Sequence, residues 1–378
     1  MDHTRRARIT IPGRRPVIAD LFAGAGGFSL GAYMAGADIG VAVENNRNAA
    51  ETYRRNLVQS RLTSARLFDE DILDLDPSDL MRQTGIDPGD CDILLGGPPC
   101  QGFSAHRLND AGVGDPRNRL LLRYFEYVRA LRPAFFLVEN VPGLLWPRHK
   151  DFVETFYATA DAADYGTFQP ILLNACDYGV PQNRRRVFIL GYDRRRTDAP
   201  TWPPAPTHQA PSLTPTGATW KTAAEIFATP APRGDINDVH MNHGATLLEA
   251  FARTPPNGGS RKDSGRVLPC HAEHRGHHDV YGRIDPARPG PTMTTACINP
   301  SKGRFVHPTE HHGITLRHAA RFQTFPDWYT FEGGLMAGGV QVGNAVPVDM
   351  ARVLVEPLVQ AALELRAAET VARDGTYG

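Results

Sequence analysis

"VIADLFAGAGGFSLG", residues 17–31, decides the fold. Val17 to Phe22 form an apolar run interrupted by one acid, short enough for a buried strand. The glycine turn "AGAGG" closes it, and a helix is expected from about Phe28. Glycines after a strand let a ligand approach the backbone, and the helix that follows offers free N–H groups. Such a loop is a weak signal alone, because a tight turn with no ligand reads the same way. Further strands follow in "IGVAVE", ending at Glu44, in "CDILLGG", in "PAFFLVEN", reaching Glu139, and in "RVFILGY". Helical patterns lie between them, as in "RNAAETYRRNL" and "RNRLLLRYFEYVRAL". Strands alternating with helices predict an α/β fold with a doubly wound, mostly parallel sheet. The strand ends then bring Phe22, Glu44, Asp71, Cys100 and Glu139 to one edge, where open α/β sheets bind ligands.

The chain has 378 residues, enough for one large domain or two ordinary ones. No apolar run approaches the roughly 20 residues that span a bilayer. The basic start "MDHTRRARITIPGRRP" lacks the apolar stretch of a secretory signal and reads as a flexible arm over 1–15. Five cysteines, with no CxxC pair, suggest reduced thiols in a cytoplasm rather than a disulfide framework. Formal net charge is zero, so overall charge does not announce nucleic acid. Only four lysines occur, and arginine, which suits forked contacts with phosphate and guanine, supplies nearly all the positive charge.

After about residue 196 the composition changes. Six prolines fall between 200 and 215, which excludes continuous helix or strand there. Residues 195–285 read as a smaller, irregular domain rich in glycine and histidine. Order returns over 286–345, with "LRHAARFQTF" as a helix. The tail from 346 has apolar residues at helical spacing. Pro347 suits a helix start, and Pro357 is expected to kink or break the helix.

The chemistry gathers at two places. Glu44, ending the second strand, can grip ribose hydroxyls beside the glycine loop, which fits a nucleoside cofactor. "GGPPCQGFS", residues 96–104, sets Cys100 on a proline-stiffened turn after an apolar strand. With Glu139 at the end of a neighbouring strand, Cys100 suggests a thiolate nucleophile beside an acid. Arginines 184–186 offer a basic partner, since a nearby cation favours the thiolate. Strand alternation puts Arg184 and Arg186 on one face. Taken singly, these have plainer readings: a lone carboxylate at a strand end is usually structural, and "RRR" is usually a solvated patch.

The series "DLFAGAGGFSLG" (20–31), "VENN" (43–46), "DI" (71–72), "GGPPCQGFS" (96–104), "VENVPG" (138–143), "YGVPQNRRRVF" (178–188), "LRHAARFQTFP" (316–326) and "QVGNAVP" (341–347) resembles, block by block, the bacterial DNA (cytosine-5)-methyltransferases. The resemblance implies a Rossmann-like, S-adenosyl-L-methionine-dependent catalytic domain over 16–194. A target-recognition domain over 195–285 and a C-terminal helix over 346–378, returning to the catalytic domain, complete it. It implies that Cys100 attacks carbon 6 of a flipped-out cytosine, that Glu139 engages ring nitrogen 3, and that Arg186 and Arg184 hold the base. Phe22, Gly24, Gly26, Glu44, Asp71, Ile72, Pro99, Leu120 and Asn344 would line the cofactor pocket. Gln101, Ser104 and Arg117 would meet DNA from a closing loop. It further implies double-stranded DNA as partner, a restriction endonuclease as functional companion, no membrane, a monomer, and a cytoplasmic, nucleoid-associated location.

"CHAEHRGHH", residues 270–278, matches no standard zinc spacing, so contacts to DNA are favoured over a metal. An amino-methyltransferase would need an aromatic ring after the proline pair and no thiol, so Cys100 argues against it. A tRNA cytosine-5 methyltransferase and a non-catalytic DNA-binding relative remain as rivals. The target sequence cannot be read from residues 195–280.

Overall fold

The computed structural model describes residues 15–98, 118–211, 217–265 and 280–374. Eight strands form one sheet: β1 (Val17–Leu21), β2 (Asp38–Val43), β3 (Arg66–Phe68), β4 (Ile93–Gly96), β5 (Phe135–Asn140), β6 (Tyr165–Thr167), β7 (Ile171–Asn174) and β8 (Arg185–Asp193). Their order is β3-β2-β1-β4-β5-β8-β6, with β7 also on β8. The first five are mutually parallel. β8 runs antiparallel to β5, and β6 and β7 pair antiparallel with successive stretches of β8. The sheet is therefore mostly parallel, as the sequence predicts, with an antiparallel end.

Burial on both faces explains the continuous apolar strands. Alternate side chains point opposite ways. Ile18, Ile39, Ile93, Leu95, Phe135 and Leu137 join one core, and Ala19, Leu21, Val41, Leu94, Phe136 and Val138 join the other. The first core is covered by α1 (Gly27–Met34), by Tyr53 at the end of α2 (Arg47–Tyr53), and by later parts of the chain. The second is covered by α3 (Pro77–Thr84), α4 (Asn118–Leu131) and α5 (Lys150–Asp161). A fully buried Leu or Phe on either face contributes about 1.5–3 kcal/mol.

The described residues of 194–285 hold little regular structure: two-residue strands β9 (His208–Gln209) and β10 (Ala218–Thr219), a single turn α6 (Ala224–Phe227), α7 (Ala245–Arg253) and a short 3-10 helix at Arg261–Ser264. Trp202, Ala223 and Ile226 from this region sit in the same core cluster as α1. The chain closes with α8 (Leu316–Phe322), α9 (Gly334–Asn344) and α10 (Val348–Asp374). α10 runs through Pro357, so of the expected kink or break no break occurs. Its packing explains this. Val348, Ala351, Leu354, Val355 and Leu358 are all fully buried. A side chain at Gly31 on α1 would collide with Ala351 and the Val348 carbonyl. One turn before the proline, the Leu354 carbonyl accepts the indole N–H of Trp202 at 3.1 Å. That tertiary packing outweighs the roughly 3 kcal/mol cost of an interior proline.

α8 opens on a capping box in which Thr315 Oγ1 accepts from His318 N and His318 Nδ1 accepts from Thr315 N. His318 lies among Phe227, His307 and Arg321, with His312 and His240 beyond, and burial pushes its pKa down to about 3. The folded value lies below the unfolded one, so this neutral histidine's stabilisation is present above pH 6.5 and is lost as pH falls toward 3. His307, lowered to about 4 by burial, adds in the same sense. His318→Gln retains a capping box without the titration. Its melting temperature is expected to fall less than the wild type's between pH 7 and pH 5; an equal fall in both proteins would remove His318 from the account.

Candidate active site

The parallel strands end together, so Phe22 after β1, Glu44 after β2, Asp71 after β3, the loop after β4, and Glu139 in β5 share one edge. The β1–α1 turn is tight. Gly26 N donates to the Ala23 carbonyl at 2.9 Å and Ala23 N to Val43 O at 3.0 Å. Phe22 takes φ 61°, an uncommon conformation for a bulky residue. Gly24, at φ 56°, faces open space: a Cβ there would meet nothing within 4 Å. Gly26, at φ 85°, is closed from below, where a Cβ would strike Leu57, Tyr53 and the Tyr329 hydroxyl.

The block "VENN" builds the neighbouring wall. Glu44 accepts from Gly24 N through Oε2 at 2.8 Å and from Asn46 N through Oε1 at 2.7 Å. Asn46 in turn caps α2 by accepting from Ala49 N at 3.1 Å. Burial raises the Glu44 pKa against these hydrogen bonds. Asn45 Nδ2 donates to Asp71 Oδ2 at 3.3 Å, joining the ends of β2 and β3. Ile72 is buried, and Phe22 and Leu120 pack against its cluster. A half-buried carboxylate oriented by two N–H donors, beside an open glycine and an apolar wall, fits a ribose and an adenine ring. Asn344, the last residue of α9, is exposed.

Beneath the loop lies a network absent from the sequence reading. Tyr53 donates to Ser29 Oγ at 2.8 Å, and Ser29 donates to Asp20 Oδ2 at 2.6 Å. Burial raises the Asp20 pKa to about 7. The signal was available: an acid inside the apolar strand "VIADL" needs a buried donor.

On the other side of the edge, Glu139 is 8% exposed. Arg186 Nε lies 3.0 Å from its Oε1, and that buried oxygen accepts no hydrogen bond from the described residues. Its Oε2 lies 3.7 Å from where a side chain on Gly97 would begin. Glu139 therefore borders the turn that leads to Cys100. Pro99, Cys100, Gln101, Ser104 and Arg117, and the histidine-rich 270–278, lie outside the described residues.

Arg184, expected to hold the base, is engaged with the backbone of the C-terminal part of the chain. It is 1% exposed, and its guanidinium donates to the carbonyls of Met293 (2.8 Å), Gly343 (2.9 Å) and Ala345 (3.0 Å). It clamps the end of the β7–β8 connection to the C-terminal part of the chain. Gln182, which the sequence reading passed over, works beside it: Nε2 donates to Phe322 O and Gln323 Oε1, each at 2.9 Å, and Oε1 accepts from Met293 N at 2.7 Å. These partners lie more than 100 residues away, so no local pattern announces them.

No described helix is long and apolar enough to cross a membrane. Comparison with known proteins agrees with this geometry. The family model described as C-5 cytosine-specific DNA methylase matches residues 17–360. The Type II methyltransferase M.DdeI of Desulfomicrobium norvegicum is 34% identical, over 90% of this chain and 87% of that protein. M.XorII of Xanthomonas oryzae pv. oryzae is 30% identical, over 89% of this chain and 83% of its own length. Among solved structures, one described as a prophage-encoded DNA modification methyltransferase of E. coli superimposes with TM-score 0.69 at 24% identity, covering 91% of this chain and 99% of that one. The Dnmt2 methyltransferase of S. pombe gives TM-score 0.55 at 17% identity, over 92% and 99%. These two show the fold, and the family match shows the rest: the chain belongs to the C-5 cytosine-specific DNA methylases.

Proposed function

We propose that this cytosine-5 DNA methyltransferase acts on a cytosine flipped out of a specific duplex site, through a covalent adduct on Cys100. The observation that carries the reading is the edge that sets the open Gly24–Glu44 wall on one side of the β4 turn and the Glu139–Arg186 pair on the other. S-adenosyl-L-methionine, when bound against Phe22, Gly24, Gly26, Glu44, Asp71, Ile72, Pro99, Leu120 and Asn344, supplies the methyl group that carbon 5 accepts. The residues of the chain do the rest. The Cys100 thiolate adds to carbon 6, because carbon 5 of free cytosine is too weak a nucleophile unaided. Glu139, held by Arg186, donates a proton or hydrogen bond to ring nitrogen 3, drawing electron density toward that nitrogen so that carbon 6 accepts the thiolate and the resulting enamine makes carbon 5 nucleophilic. Arg186 orients Glu139 and balances its charge. A base then takes the carbon 5 proton, the electron pair of that bond re-forms the carbon 5–carbon 6 double bond and expels Cys100 as thiolate, and ring nitrogen 3 returns its proton to Glu139. A stacked base offers no path to carbon 6, so the base leaves the helix, and Gln101, Ser104 and Arg117 meet the DNA backbone.

Residues 195–285 read the target from the major groove, where base edges are distinguishable. A restriction endonuclease is the functional companion, and the protein works as a cytoplasmic monomer on the nucleoid.

Labelled methyl transfer to duplex DNA, tRNA or neither tests the substrate. Transfer to DNA alone is expected; transfer to tRNA alone would keep the chemistry and change the substrate. Glu44→Ala is expected to raise the dissociation constant for S-adenosylmethionine about tenfold, on the scale of a charge-assisted hydrogen bond, and to leave the target unchanged. Calorimetry showing unchanged affinity would contradict the ribose contact.

A further inference from the structure

We propose that Tyr329 is a positioning residue for the cofactor: its hydroxyl holds the glycine loop, and residues 235–237 of the recognition region seat it. The inference rests on the reading that the cofactor binds at Gly24 and Glu44.

Tyr329 is fully buried and lies some 300 residues from the loop in sequence, yet its hydroxyl donates to the Ala25 carbonyl at 2.5 Å. Ala25 stands between the open Gly24 and the closed Gly26, and the same hydroxyl is one of the atoms that closes Gly26. The contact therefore fixes the peptide whose neighbour faces the pocket. Nothing else in the described part of the chain bonds this carbonyl from outside the loop.

The seat of Tyr329 is itself built from two sides. From the catalytic domain, Asn56 exchanges two hydrogen bonds with Thr330, donating to its carbonyl at 2.7 Å and accepting from its N–H at 2.9 Å. Asn56 lies on a π-helical turn, Arg54–Gln59, a wide turn of the kind that often marks functional sites. From residues 195–285, Asn237 makes the matching exchange with Phe331, at 3.0 and 2.8 Å. Asp235 grips the buried Arg317 with both carboxylate oxygens, and Arg317 Nη2 donates onward to the Tyr329 carbonyl at 2.9 Å. A continuous path runs from Asp235 through Arg317 and Tyr329 to Ala25. Residues of the recognition region thus set the shape of the loop that meets the cofactor.

The test uses the full chain with S-adenosylmethionine as the probe. Tyr329→Phe keeps the ring and removes one buried hydrogen bond, so the cofactor dissociation constant is expected to rise about three- to tenfold. At saturating cofactor, kcat and the KM for DNA are expected to stay within about twofold, which a general loosening of the fold would not allow. Asp235→Asn, remote from the pocket, is expected to raise the same dissociation constant about two- to fivefold, and to add little in the Tyr329→Phe background, because both act through one path. Unchanged cofactor affinity in Tyr329→Phe, parallel losses of cofactor and DNA affinity, or fully additive effects of the two substitutions would each overturn the proposal. Glu44→Ala separates the two claims. If it weakens the cofactor and Tyr329→Phe does not, only the positioning role fails. If neither does, the cofactor reading fails.

Discussion

Cys100→Ala is expected to lower methyl transfer to duplex DNA by on the order of 10⁴-fold or more, with cofactor affinity within about twofold of wild type. The size of the loss follows from the chemistry. Alanine cannot add to carbon 6, and without that addition carbon 5 has no means of becoming nucleophilic. Glu139 and Arg186 then polarise a ring that never receives the thiolate. Cofactor affinity is spared because Phe22, Gly24 and Glu44 stand on the turns after β1 and β2, held by Ala23 N to Val43 O and by Gly24 N to Glu44 Oε2. Tritium transfer measures the first quantity and calorimetry the second. Appreciable turnover by the alanine protein would remove Cys100 from the mechanism.

Arg184→Ala is expected to cost stability rather than base contacts, by about 1–3 kcal/mol for each buried carbonyl left without a donor. The carbonyls of Met293 and Gly343 would lose their donor, and that of Ala345 would keep only Gln323 Nε2 at 3.1 Å. Arg184→Lys is expected to recover only part of the loss, since one ammonium on a flexible stem cannot reproduce a planar fork. Burial and the nearby Arg186 both push the Arg184 pKa down, so the carbonyls around it are what keep the charge tolerable. Urea unfolding reads the effect as a lowered midpoint at unchanged slope. Wild-type stability with a loss confined to DNA binding would return Arg184 to the base pocket.

The contrast between Arg184 and Arg186 shows what the sequence could convey. Two arginines one residue apart share a face of the chain, and that much is visible in "RRR". Which one meets Glu139 and which one meets the C-terminal part of the chain depends on Met293, Gly343 and Ala345, all more than 100 residues away. Strands β1, β2, β4 and β5 were legible because each is an apolar run buried on both faces. β3, β6 and β7 are short and only partly buried, so no continuous apolar run marks them. β6 and β7 exist only because β8 offers an edge to both. Pro357 does not break α10 for the opposite reason: a strong local signal was overruled by the buried face that α10 lays against α1. The Gly24–Glu44 wall was legible in "AGAGG" and Glu44, but its support from Tyr329 and Asp20 was not. The acid in "VIADL" was visible, while its donor chain through Ser29 and Tyr53 forms only once α1 and α2 pack on the strand.

The covalent mechanism is tested most directly with duplex DNA carrying 5-fluorocytosine at the methylated position. Fluorine cannot leave carbon 5 as a proton does, so the adduct on Cys100 has no exit once the methyl group has been transferred. The expected result is a denaturation-resistant protein–DNA band that requires S-adenosylmethionine, is absent in Cys100→Ala, forms more slowly in Glu139→Gln, and maps by mass spectrometry to Cys100. An adduct on Cys91 or Cys176, or ready turnover of the fluorinated site with no adduct, would contradict it.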